Sequence, residues 1–257
     1  GEQWPQLHFP FSLWAAHAVA TFAGMLRILA VLALTACAAS PGPAPVASNE
    51  PLSLVERWER VALREDDGRQ VPYVRRWERP LDALIVNAGP YEPAVKQALW
   101  HLGDVAELPV TITLARRGMD IGDPNMIVAF VSEAEMEATV DAALRARGQS
   151  RSGRGATCFG ATPGFAAAPD EAVIYIYIRN DLPERRTRAC IVQETAQALG
   201  LVGDLDGRSD TVFASGTGAT ILTPADEAVI RLHYSPQLRN GMPSAEARSV
   251  VANLSPS

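Results

Sequence analysis

The chain has 257 residues, 47% hydrophobic and 20% charged, enough apolar material for one sizeable core with a short appendage. Its net charge of −6 excludes the basic footprint of a nucleic-acid binder, so no nucleic-acid partner is expected. Lys96 is the only lysine, and the arginine excess is read as a composition bias without functional weight.

Residues 1–24 begin without methionine, hold an apolar patch at 9–22, and are read as an extension upstream of a start at Met25. Residues 25–37 have the layout of an export signal: Arg27 as the positive start, a short apolar run at 28–34, then small residues. The run is shorter than the ~18 apolar residues that span a bilayer. Leu34-Thr35-Ala36-Cys37 resembles the lipobox of bacterial lipoproteins, which implies cleavage before Cys37 and lipidation of that cysteine. A plain signal peptide and a membrane helix are the competing readings. Cleavage at that point removes Glu2 and Arg27 and leaves the net charge at −6. The expected location is the periplasmic side of a bacterial membrane, with the membrane as partner through the lipid on Cys37.

Export sets the redox compartment. Cys158 and Cys190 are then an even pair in an oxidising space, which predicts a disulfide between them. A catalytic thiol is the alternative, and His101 and His233, the histidines left after cleavage, lie far from both cysteines in sequence. Residues 38–51, rich in Pro, Ala and Ser, have no apolar period and read as a hydrated tether of about 3 Å per residue when extended.

Residues 52–257 read as one domain. Alternation predicts strands at 71–77 and 83–87, and Val95, Leu99 and Leu102 predict a helix over 92–102. Strands are predicted at 110–114 and 126–131, a helix at 133–147, and a Gly/Ser/Arg-rich loop at 148–155. The strongest strand signal is 171–178, which feeds a helix starting after Pro183 and ending at Gly200. A helix over 224–234 with Thr223 as its N-cap and a terminal helix over 244–252 complete the chain.

The helix ending at Gly200 carries Gln193-Glu194-Thr195-Ala196-Gln197-Ala198-Leu199-Gly200-Leu201. A zinc protease places two imidazoles at i and i+4 around an activating Glu. Here both histidine positions are glutamine, a poor zinc ligand, and the glutamate remains. The stretch resembles the metzincin pattern H-E-x-x-H-x-x-G-x-x-H position for position, glycine turn included. The third ligand would fall on Gly203, with Asp204 one residue later, and Phe213 stands where the Met-turn methionine would be. The implied fold is α+β: a zincin-like mixed sheet in β-α-β-β-β-α order with a degenerate active-site helix beneath it. Arg76-Trp77, Cys158-Phe159, 190–201, and Tyr234-Ser235-Pro236 with Gly241-Met242 are similar to a bacterial lipoprotein family, the domain of unknown function numbered 2927, over residues 70–250. That family brings no established activity.

No zinc-binding set of histidines and cysteines remains, and no cofactor is expected. Glu194 is a candidate for three roles: a buried carboxylate holding backbone donors, a ligand-binding carboxylate, or a metal-free general base. Gln193 and Gln197 can present paired amides to a peptide, or satisfy each other and the loops. Residues 204–210 hint at a calcium loop, but Val202 and Phe213 occupy its first and last carboxylate positions. His233 reads as a packed residue. The leading expectation is an envelope pseudo-peptidase whose cleft, with binding residues Gln193, Glu194, Gln197 and Asp204, takes a peptide or envelope protein. The alternatives are a metal-independent hydrolase using Glu194 with Asp204 or Asp206, and a purely structural lipoprotein.

Overall fold

The computed structural model describes residues 52–65, 68–116, 118–146, 153–161, 173–205, 208, 210–214 and 218–254, all within the unit Ala47–Ser257. The upstream extension, the leader with Cys37, the tether and Asp206 lie outside the described residues. No helix among the described residues is long and apolar enough to cross a membrane.

The domain is mixed α/β. Five strands, β1 Leu81–Val86, β2 Val110–Leu114, β3 Met126–Val131, β4 Cys158–Ala161 and β5 Ile174–Arg179, form one sheet in the order β2-β1-β3-β5-β4. All neighbours are parallel except β4, which runs antiparallel to β5 and is the last strand of the sheet among the described residues. The helices are α1 Leu54–Ala62, α2 Glu92–Ala106, α3 Glu133–Ala146, α4 Glu184–Gln197, α5 Pro224–His233 and α6 Ser244–Leu254.

Alternation along the strands sorts the faces. Ile174, Ile176 and Ile178 are buried on one side, in register with Met126, Val128 and Phe130, and these in turn with Ala83 and Ile85. Helix α2 covers this side with Val95, Leu99, Leu102 and Ala106, spaced to form a single apolar stripe. Helix α4 packs against α2 and β5, and α1 and α5 pack together to close the same core. On the opposite face Leu84, Val86, Ile127, Ala129 and Tyr177 are buried outside the main cluster, with Met136 and Val140 of α3.

Three elements differ from the sequence reading. Residues 71–77 form no strand, because their pairing with the chain at the start of α6 is limited to one antiparallel bridge, Tyr73 to Pro243: Val74 N–H donates to Met242 O, and Gly241 and Ser244 N–H donate to Val74 O and Pro72 O. Helix α1 and strand β4 have no counterpart in the reading. Helix α1 begins with a capping box in which Ser53 and Glu56 satisfy each other's backbone donors, the signal that marks its start in the sequence.

Cys158 and Cys190 form the expected disulfide, joining β4 to α4 with 5.8 Å between Cα atoms and a sequence separation of 32. A thiol nucleophile is thereby removed. Replacing both cysteines with serine is expected to lower stability by roughly 3–4 kcal/mol through the unfolded chain's added entropy, as read from urea unfolding midpoints. Unchanged midpoints would mean that the bond constrains nothing.

Candidate functional site

Arg186, Cys190, Gln193, Glu194 and Gln197 recur at i, i+4, i+7, i+8 and i+11, so helical geometry gathers them on one face of α4. The disulfide turns that face onto β4. Register then does the rest: Cys158 and Gly160, two residues apart on a strand, project to the same side, and Cys190 and Glu194 stand one helical turn apart. A side chain at position 160 would begin 3.0 Å from Glu194 Oε2, so the glycine leaves room for that carboxylate against the strand. Glu194 is 7% exposed. At the start of β4, Arg186 donates from Nη2 to the Thr157 hydroxyl at 2.9 Å.

The helix stops as its glycine demands. Gly200 has φ +99°, and the carbonyl of Arg75 occupies the space that a Cβ would need. Beyond it the chain returns along the helix, and Gln197 Nε2 donates to Asp204 Oδ1 at 3.1 Å. Gln197 is thus joined to Asp204, with no hydrogen bond to Gln193; Gln193 is half-buried on the same face. The sequence-predicted residues Gln193, Glu194 and Gln197 therefore share one surface, and Asp204 reaches it from the following turn.

Zinc, which the metzincin pattern implies, does not fit. Both helix positions hold amides, and the third position is Gly203, whose N–H donates to Val61 O at 2.9 Å. The carbonyls of Arg60 and Arg64, at the end of α1, fill the space where a side chain on residue 203 would begin. Backbone stands where a third ligand would. Among the described residues no three His, Cys, Asp or Glu side chains are grouped to hold a metal. Gly203→Ala is expected to lower stability by roughly 2–3 kcal/mol, measured by thermal unfolding, because the opposing atoms are main chain and cannot rotate away. An unchanged midpoint would mean that α1 yields easily.

Behind the site lies a buried polar frame that the sequence reading missed. Tyr234 OH donates to Leu199 O at 3.0 Å and accepts from Trp77 N–H, while Trp77 Nε1 donates to Ala198 O at 2.9 Å. Burial pushes the Tyr234 phenol well above its ordinary range. Arg76 donates from Nη1 to the carbonyls of His233, Ser235 and Leu238, closing the C-terminal end of α5, and its guanidinium lies 4.7 Å from the Tyr234 ring centroid. His233, fully buried, links Trp58 to the Arg75 carbonyl beside Gly200.

The turn at 211–213 is held by Asp226, which accepts from the Thr211 hydroxyl, Val212 N–H, and both Thr223 donors while capping α5. Phe213 is fully buried, and its carbonyl accepts from Leu205 N–H at 2.6 Å. Asp210, within the calcium-like stretch, is bound instead by Arg57 and Arg208, which hold its carboxyl well below the usual range.

Fold and site define a disulfide-braced α/β domain with a buried glutamate and two glutamines on a helix beside the sheet's terminal strand. The family model described as a protein of unknown function (DUF2927) matches residues 52–253, and the chain belongs to that family. No curated protein matches the chain.

Proposed function

We propose that this domain is a zincin-like pseudo-peptidase, exported and held at the cell envelope by a lipid on Cys37, that binds an extended polypeptide beside β4 and does not cleave it. The observation that carries the reading is the hydrogen bond to Asp204 made by the Gln197 amide, which stands one turn from Glu194 where the metzincin pattern carries a metal-binding histidine. Amides there offer both donors and acceptors to a peptide backbone, whereas a zinc site needs imidazoles or thiolates. Support for the zincin-like comparison comes from the sheet, in which four parallel strands precede the motif helix and a short antiparallel strand lies against its glutamate. The Cys158–Cys190 disulfide supports export to an oxidising compartment.

Affinity capture from detergent-solubilised envelope should recover a partner with the wild type and lose it with Gln193→Ala/Gln197→Ala. Equal recovery by both proteins would count against the groove. Stoichiometric zinc in the purified wild type would overturn the pseudo-peptidase reading outright. Fatty-acid labelling should mark the wild type and leave Cys37→Ser unlabelled.

A second reading, a metal-independent hydrolase with Glu194 as base and Asp204 or Asp206 as its partner, draws on the Glu194 carboxylate lying against Gly160. It requires a hydrolytic activity that Glu194→Gln abolishes while the variant stays folded.

A further inference from the structure

We infer that the groove beside β4 takes the C-terminal tail of a polypeptide, with the terminal carboxylate on Arg186. This deepens the binding reading above and rests on it.

The contacts between α4 and β4 give the groove a direction. Arg186 meets Thr157, Cys190 meets Cys158 and Glu194 meets Gly160, so helix and strand run in the same sense. β4 already pairs antiparallel with β5, and an antiparallel addition on its other side is the more stable mode of pairing. Such a strand runs from the Ala161 end to the Thr157 end, so its C-terminus arrives at Arg186.

The charges agree with that polarity. Arg186 lies at the Thr157 end, and the acidic residues Glu194 and Asp204 lie toward the other. Among the described residues the Arg186 guanidinium has the Thr157 hydroxyl as its polar partner and no carboxylate. Two other cations nearby do have carboxylate partners: Arg179 pairs with Glu133 and Asp181, and Arg188 with Glu184. A guanidinium presents a fork of donors that suits a carboxylate.

A chain end fits better than an acidic side chain because the strand edge stops at this point. Arg179 N–H to Thr157 O, at 3.1 Å, continues the β4–β5 pairing to Thr157, and the chain before it turns at 153–156, with Ala156 N–H on Gly153 O and Gly155 at φ +79°. Among the described residues, the extended β4 edge ends at Thr157, where it meets this turn. The eight helical steps from Arg186 to Glu194 span about 12 Å, which matches three to four residues of strand. β4 itself has four.

The test uses two N-terminally fluorescent, mixed-sequence hexapeptide libraries, one ending in free carboxylates and one in amides, titrated by anisotropy into the full-length, disulfide-bonded protein. The free-acid library should bind the wild type roughly tenfold more tightly than the amide library. Arg186→Gln should weaken the acid library to the amide level and leave the amide library unchanged. Equal binding of both libraries to the wild type overturns end recognition and leaves the groove standing. Binding of neither overturns both readings. The comparison of acid with amide needs only the wild type, so a poorly folded Arg186→Gln does not blunt the test.

Discussion

Acidification from pH 6.5 to pH 4 is expected to remove about 3 kcal/mol of folding stability through His233 alone. Its ring is fully buried, and burial, with Arg76 adding to it, pushes its pKa down to about 4 from 6.5. The tautomer follows from the partners. Trp58 Nε1 can only donate, at 3.2 Å, so Nδ1 accepts and the single proton sits on Nε2, donated to the Arg75 carbonyl at 2.8 Å. A second proton on Nδ1 would face the tryptophan donor inside a dry core.

The sign follows directly. Between pH 6.5 and 4 the unfolded chain binds a proton that the folded one refuses, so stability falls as pH falls. The contribution is intact above pH 6.5 and gone at about pH 4. Carboxylates titrate in the same window, which is why the measurement must be a difference. Urea unfolding at a series of pH values should give His233→Gln a lower stability at pH 7 and a pH slope shallower than the wild type by about 1.4 kcal/mol per unit. Parallel pH profiles for the two proteins would sink the assignment.

This frame shows why parts of the fold were legible and parts were not. Helix α5 announces itself with Thr223 followed by Pro224, and β5 with uninterrupted isoleucine–tyrosine alternation, because both signals are local. The segment 71–77 alternates just as well, yet its hydrogen bonds go to residues 241–244, a choice made by a contact more than 160 residues away in sequence. Strand β4 is four residues long and contains a glycine, and it exists through its pairing with β5, which its own composition does not encode. The site divides the same way. Gln193, Glu194 and Gln197 are readable from helical spacing, and so is the glycine turn at Gly200. That Gly203 has no space for a side chain depends on α1, which that reading lacked. Arg186 lies three residues into the helix, and its partner Thr157 belongs to the unread strand's approach.

Placing histidine at both amide positions is expected to create a metal site. Helical spacing fixes positions 193 and 197 one turn apart on the face shared with Glu194, so imidazoles there converge as they do in H-E-x-x-H. Residue 203 remains unable to contribute, for the backbone of α1 occupies its side-chain space. Asp204 can, because its Oδ1 already stands 3.1 Å from the side-chain nitrogen at position 197. Two imidazoles and a carboxylate, with a water in the fourth place, make a catalytic-type zinc set. Gln193→His/Gln197→His, dialysed against zinc and then against buffer, should retain about one equivalent by elemental analysis, and excess zinc should raise its thermal midpoint by several degrees. The wild type should show neither effect. Adding Asp204→Ala should lower the variant's zinc affinity by at least tenfold, and an unchanged affinity would exclude Asp204 as the third ligand. If the double variant holds no zinc at all, the zincin-like geometry proposed for α4 is wrong, and its glutamines belong to a helix that was never shaped around a metal.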